Sequence, residues 1–283
     1  MVLFATGVSD GEPWYYFDME NIPKELKYIE KGNPGVEKNV DQIMQSVKVD
    51  LGIILEKIRN SIDSHKYGIT LGVDSGGRVP ALTLSKTINN IYDSRGQEKM
   101  ETYFIAGSRN LHQYKATDKD IEMEKFFMQS VFQKVRDRRE KVLIVDDVVA
   151  TGDSLELITT TLKKLNLPYE IATLSFDDSK LKNNTYSPTD IEEVEDRLGS
   201  NIVFGEYGGV SKLYGSNQMQ GVHKSPDELY SKPLNTPISK NLKVVPPSVG
   251  VPFEQESQNK EVLRRTRELV SKISDELAQE YLK

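Results

Sequence analysis

The chain has 283 residues, a net charge of −6 and a pI near 5.4: long enough to bury a real core without staples, and too acidic for a protein built mainly to hold nucleic acid. It has no cysteine, which excludes disulfides and thiolate-held zinc, and its histidines, His65, His112 and His223, lie too far apart in sequence for metal-ligand spacing. No apolar run approaches membrane-spanning length and no basic segment leads into a long apolar stretch at the start, so a cytoplasmic protein is expected.

In chain order, residues 1 to 35 mix aromatics (Trp14, Tyr15, Tyr16, Phe17) with turn formers (Gly32, Asn33, Pro34, Gly35), a packing strand or lid base with no assigned chemistry. From Val36 to Ile62 the apolar residues Val40, Ile43, Met44, Val47, Leu51, Ile54, Leu55, Ile58 and Ile62 fall three and four apart, which predicts a one-faced helix with a weak point at Gly52. Tyr67 to Asp74 is a short strand. It enters the turn Ser75-Gly76-Gly77-Arg78 and then a helix through Leu82, Leu84, Ile88 and Ile91. Glu101 to Gly107 is the next strand. Ser108 to Lys119 is polar, aperiodic and long for a connector, as functional lids often are. Ile121 to Val135 carries a broad apolar helical face. The following charged run, Arg136 to Lys141, leads into Val142-Leu143-Ile144-Val145, a β-branched run of the kind buried on both faces of a parallel sheet. A helix from Leu155 to Leu165 is stopped by Asn166 and Pro168. Tyr169 to Phe176 is the fourth strand, Ile191 to Leu198 a short helix and Asn201 to Tyr207 the fifth strand. Gly208 to Leu242 is turn-rich, and 246 to 252 is proline-punctuated. A helix closes the chain from Glu261, with Leu263, Val270 and Leu277 seven apart; that spacing permits a dimer seam or docking onto the chain's own core, the latter preferred.

The centre of this plan is Val142 to Ser154, VLIVDDVVATGDS. Asp146 and Asp147 follow the buried run, and Ala150-Thr151-Gly152-Asp153-Ser154 form a small polar turn before a helix. The free amides of that helix start, with the Thr151 and Ser154 hydroxyls, make an anion site. Carboxylates repel phosphate, so the acid pair must face something next to it: sugar hydroxyls, Mg²⁺ or a developing cation. A ribose 5-phosphate bearing a leaving group has all these parts. An ordinary buried strand with a capped helix leaves the acid pair unexplained. A phospho-acceptor receiver domain needs its acid pair after the first strand and a further aspartate at a later strand end.

All thirteen positions of this stretch are of the type found in the phosphoribosyl-pyrophosphate (PRPP) signature, and the chain resembles the type I phosphoribosyltransferases over roughly residues 36 to 207. The resemblance implies that Asp146 and Asp147 meet the ribose hydroxyls, with Asp147 or Asp153 as a base toward the incoming nitrogen. It implies that Ala150, Thr151, Gly152, Asp153 and Ser154 hold the 5-phosphate. Ser75, Gly76, Gly77 and Arg78 match the pyrophosphate turn, although Asp74 and Ser75 stand where many members carry a basic residue and Arg78 follows the glycines instead. Arg109, His112, Tyr114 and Lys115 lie where the family has a mobile loop over the reacting centre, with Arg109 and Lys115 the candidates to reach the ligand. Mg²⁺ enters through ligand oxygens rather than a protein cage.

The alternation predicts an α/β domain with a mostly parallel sheet flanked by helices. The family resemblance implies five strands in the flavodoxin-like order 2-1-3-4-5, which would bring both turns together at the switch point. Residues 1 to 35 form an extension or part of a base-recognising hood, 36 to 207 the core, and 208 to 283 a C-terminal hood, linker and helix. Tyr207 and Tyr214 are weak candidates to stack on a base. The resemblance implies transfer of ribose 5-phosphate from PRPP to a nitrogenous base, in a homodimer. The alternative is a non-catalytic PRPP or nucleotide sensor of the same fold. A chain that keeps the fold without the ligand is disfavoured by the acid pair and the loop.

Overall fold

The computed structural model describes residues 4–7, 14–17, 34–74, 76–106, 124–125, 127–131, 135, 140–178, 190–209, 213, 230–231 and 253–283. Two short strands, β1 (Phe4–Gly7) and β2 (Trp14–Phe17), pair antiparallel as a sheet of their own. Then come α1 (Pro34–Lys57), α2 (Arg59–Asp63), β3 (Tyr67–Asp74), α3 (Arg78–Ser94) and β4 (Glu101–Ala106). A short π-helical turn at Phe127–Val131 precedes β5 (Lys141–Val149), α4 (Glu156–Lys164), β6 (Tyr169–Phe176), α5 (Ile191–Leu198), β7 (Ile202–Tyr207), β8 (Tyr230–Ser231) and α6 (Phe253–Tyr281).

The main sheet runs β7-β6-β5-β3-β4-β8. Its five core strands are parallel and, numbered from β3, stand in the order 2-1-3-4-5, as the family resemblance implies. The two-residue β8 adds an antiparallel edge to β4, pairing Ile105 with Tyr230 and Phe104 with Ser231, a strand the sequence reading does not contain. The alternation of side chains along a strand sends Val142 and Ile144 to one face and Leu143 and Val145 to the other, and both faces are covered. Leu143 and Val145 join the cluster formed by α1, α3 and α6, while Val142 and Ile144 join Phe127, Val131, Ile158, Leu162, Val194 and Leu198.

The predicted helix over 36–62 breaks at Ile58 (φ −98°, ψ 9°) and resumes as α2. Ile58 and Ile62 are still buried, so the break preserves the apolar face that made the segment look continuous. After α4, Asn166 takes a left-handed conformation (φ 52°) and the amide of Leu167 returns to the Leu162 carbonyl at 3.0 Å, which ends the helix where expected. The C-terminal helix begins at Phe253, earlier than predicted, and docks on the chain itself. Leu269, Val270, Ile273, Leu277, Ala278 and Tyr281 are buried in the cluster with α1 and α3. Ser274 Oγ donates to the Thr83 carbonyl at 3.0 Å, and Arg265 holds Asp41 through two bonds of 2.7 Å. Among the described residues no helix is long and apolar enough to cross a membrane.

Candidate ligand site at the sheet switch point

β3 and β5 are neighbours, with Gly72 beside Val145, so the turns that leave their C-terminal ends rise side by side. The strand order reverses between these two strands, which in open α/β sheets opens the ligand crevice. Strand β5 does not stop before its carboxylates. It pairs with β6 through Asp146↔Thr173, Val148↔Ser175 and Val149↔Phe176, so both acids sit within the strand, 5% and 6% exposed.

Alternation sends the two acids to opposite sides. Asp146 continues the Ile144 face and meets the loop that follows: Ser154 Oγ donates to its Oδ2 at 3.4 Å, and the amide of Asp147 donates to its Oδ1 at 2.8 Å. Asp147 continues the Val145 face and meets the other turn, where a β-carbon on Gly76 would overlap its carboxylate. Burial, and secondly the Asp147 carboxylate beside it, push the Asp146 carboxyl well above its ordinary range. The pair gathers two buried carboxylates, whose oxygens accept hydrogen bonds, at one place, and a ligand bringing hydroxyl groups or a cation suits it.

The Gly76-Gly77 turn is packed directly on the strand ends. The Gly77 amide donates to the Val73 carbonyl at 2.7 Å, and a β-carbon on Gly77 would stand 2.7 Å from both the nitrogen and the oxygen of Val73 and press on the Val145 carbonyl. No side chain fits there, so the turn presents backbone to the crevice. Arg78, at the first position of α3, is 9% exposed, and its guanidinium lies 5.0 Å from the centre of the Phe104 ring.

The loop after β5 holds Ala150, Thr151 and Gly152 buried, Gly152 with φ 80° and its carbonyl accepting from the Leu155 amide at 2.9 Å. Helix α4 starts after Leu155, which occupies the N-cap position and makes no side-chain cap hydrogen bond. The residues that would normally cap it are engaged elsewhere: Ser154 on Asp146, and Asp153 on Arg197 of α5 at 3.0 Å. The Thr151 hydroxyl is buried and has no hydrogen-bond partner among the described residues. A loop with amides, a spare hydroxyl and an uncapped helix start suits an oxyanion.

The structure therefore brings Asp146, Asp147, Gly76, Gly77 and residues 150 to 154 to one crevice. It puts the Arg78 guanidinium over Phe104. Ser75, Arg109, His112, Tyr114, Lys115 and Tyr214 lie outside the described residues. Tyr207, 56% exposed at the end of β7, stacks on Phe176 at 5.8 Å. Arg197 is the residue the sequence reading missed; it sits 44 positions from Asp153, with no local pattern linking the two.

Among the described residues no group of three or more histidine, aspartate or glutamate side chains is placed to cage a metal. The donor set at the crevice, two buried adjacent carboxylates, fits Mg²⁺ shared with ligand phosphate oxygens and water, the arrangement this ion prefers.

No curated protein matches the chain. Similar solved structures include the orotate phosphoribosyltransferase from Aeropyrum pernix, 16% identical over 56% of this chain and 68% of that one with a TM-score of 0.34. The adenine phosphoribosyltransferase from Saccharomyces cerevisiae is 15% identical over 61% and 80%, with a TM-score of 0.34. The purine phosphoribosyltransferase from Pyrococcus horikoshii is 19% identical over 60% and 84%, with a TM-score of 0.30. The family model described as phosphoribosyl transferase domain matches residues 38–207, which span the five parallel strands and both turns, and the chain belongs to that family.

Proposed function

We propose that the chain transfers ribose 5-phosphate from PRPP to a nitrogen of a base-like acceptor and releases pyrophosphate. One observation carries this reading: a backbone-only turn and an anion-suited loop flank a buried acid pair, one acid facing each turn. That order matches a ligand with pyrophosphate at one end, ribose hydroxyls in the middle and a 5-phosphate at the other.

In this reading Asp146 and Asp147 accept hydrogen bonds from the ribose hydroxyls. Residues 150 to 154 hold the 5-phosphate, and Ser75, Gly76, Gly77 and Arg78 hold the pyrophosphate. Arg109 and Lys115 close over the reacting centre. Mg²⁺, when bound with the substrate's phosphate oxygens, would neutralise pyrophosphate charge, with Asp146 and Asp147 the carboxylates placed to support it. The bond between C1′ and the pyrophosphate oxygen breaks, its electron pair leaves with the pyrophosphate, and the acceptor nitrogen forms the new bond to C1′. The transition state is cation-like at the sugar, and the two carboxylates favour it electrostatically. The proton lost by the acceptor goes to Asp147, since Asp153 is tied to Arg197. The family resemblance adds a homodimer, and the cytoplasmic location expected from the sequence is kept as part of this reading.

A second reading, a PRPP sensor without turnover, draws support from Arg78. Its guanidinium is nine-tenths buried over Phe104 in a turn that already carries Asp74 and Ser75. Thermal unfolding with PRPP and Mg²⁺, followed by pyrophosphate release across a panel of bases, separates the two. A melting shift with release supports the enzyme, and a shift without release on any base supports the sensor. No shift at saturating PRPP removes both. The double variant Asp146→Asn/Asp147→Asn is expected to fold and to lose transfer; retained transfer in the folded variant overturns the assignment of the pair.

A further inference from the structure

We propose that Arg197 is a positioning residue for the 5-phosphate, a role that rests on the reading above and deepens it. The side chain comes from α5, a helix fixed at both ends. Asp190 caps its start by accepting from the Glu193 amide, and Gly199 ends it in a left-handed conformation (φ 71°). The Arg197 carbonyl accepts from Lys163 Nζ of α4 at 2.9 Å, and the neighbouring Leu198 is fully buried. The guanidinium is thereby held against the phosphate loop. Nη1 donates to Asp153 Oδ1 at 3.0 Å, and Nη2 stands 3.2 Å from where a β-carbon on Gly152 would lie.

The arginine has more donors than this contact uses. Nε and Nη2 are buried and have no hydrogen-bond partner among the described residues. Desolvated guanidinium N–H groups without acceptors are costly, and a fork-shaped cation is the group best matched to an oxyanion. Asp153 does not cancel the charge: its side chain is 51% exposed, against 30% for Arg197, so the anion is screened by water more than the cation is. Because Gly152 has no side chain, only backbone separates the guanidinium from an anion held by the loop. Arg197 thus does two things: it fixes the loop through Asp153 and adds unspent positive charge behind the amides. The Gly76-Gly77 turn stands against the other acid, Asp147, rather than against the loop that Arg197 touches.

The test is calorimetric titration of the full chain, with Mg²⁺, using ribose 5-phosphate and inorganic pyrophosphate as separate probes. Arg197→Gln is expected to weaken ribose 5-phosphate about tenfold or more, the loss of one charge-assisted contact, while pyrophosphate stays within about twofold. Arg197→Lys, which keeps charge without the fork, recovers part of the loss. Asp153→Asn leaves the arginine in place while weakening its hold on the loop, and is expected to lose clearly less ribose 5-phosphate affinity than Arg197→Gln does. Unchanged ribose 5-phosphate affinity in Arg197→Gln overturns the proposal. So does equal weakening of both probes, which signals lost structure, or a loss in Asp153→Asn equal to that in Arg197→Gln, which reduces the arginine to a tether. If Arg197→Gln does not fold, the lysine and asparagine variants carry the comparison. A parent chain that binds neither probe removes the functional reading first, and this inference with it.

Discussion

Gly76 and Gly77 are adjacent, yet alanine at each is expected to fail differently. Neither needs a left-handed backbone: Gly77 has φ −71°, and Gly76 is not among the glycines with positive φ. What decides is the neighbour that a β-carbon would meet. At Gly77 it is backbone of two strands, the Val73 nitrogen and oxygen at 2.7 Å and the Val145 carbonyl, all tied into the parallel ladder. Those atoms must retreat to no less than 3.0 Å, and they can do so only by distorting β3 and β5 together. Overpacking of this kind costs about 1–3 kcal/mol, and a fixed backbone neighbour puts Gly77→Ala at about 3 kcal/mol. At about 2–4 °C per kcal/mol for a domain of this size, the melting temperature falls by about 6–12 °C. At Gly76 the neighbour is the Asp147 carboxylate, the end of a side chain that turns aside at an off-rotamer cost of about 0.5–1.5 kcal/mol. Gly76→Ala therefore keeps most of its stability, but its displaced Asp147 no longer faces the turn. Melting curves with and without PRPP and Mg²⁺ read both quantities at once. Gly77→Ala melts early, whereas Gly76→Ala melts within a few degrees of the parent and loses the ligand-induced shift. A Gly76→Ala chain with full ligand response, or a Gly77→Ala chain with the parent's melting temperature, would refute the packing described for this turn.

Three further outcomes are expected. Burial and Asp147 raise the Asp146 carboxyl above its unfolded value, so the folded chain holds that proton longer than the unfolded chain does and loses stability as pH rises from the ordinary carboxylate range through the folded pKa. Asp146→Asn should then melt above the parent at neutral pH, converge with it near pH 4 and below, and lose the PRPP shift; a variant less stable than the parent at neutral pH contradicts the assignment. Ile273→Ala removes a fully buried side chain of α6 and should cost about 2–5 kcal/mol in denaturant titrations; a cost that changes with protein concentration would point to a seam between copies. Gly52 lies inside α1 with only Leu277 Cδ2, at 3.7 Å, facing its missing β-carbon. Gly52→Ala should therefore stabilise by about 0.5–1 kcal/mol, and a lower denaturation midpoint would show that the α1–α6 approach is tighter than described.

What the sequence made legible, and what it did not, follows from the range of the interactions involved. The α/β class was legible because buried β-branched runs alternate with one-faced helices, whereas the strand order came from the family-type arrangement that brings the two turns together. The extension of β5 through Asp146 and Asp147 to Val149 was not legible. Adjacent carboxylates look like a strand end because burying them is costly, and the groups that lower the cost for Asp146, the Asp147 amide and the Ser154 hydroxyl, are in place only once the loop has folded back. The break at Ile58 was invisible for the opposite reason: the apolar face continues through it unchanged. A two-residue strand such as β8 has no periodicity to detect.

The C-terminal helix shows how far a pattern reaches by itself. Val270, Ile273 and Leu277 alone satisfy both a heptad seam and a docked helix. Leu269, Ala278 and Tyr281 are buried as well, and they widen the stripe beyond a two-position seam so that it covers α1 and α3 together. The loop after β5 repeats the lesson at the site. Its residue types announce an anion, but only the packing of α5 shows which side of the loop carries an unmatched cation. Local pattern thus motivates the ligand proposed for the crevice, while the proposals for how firmly each end of it is held rest on the long-range contacts at Gly76 and Arg197.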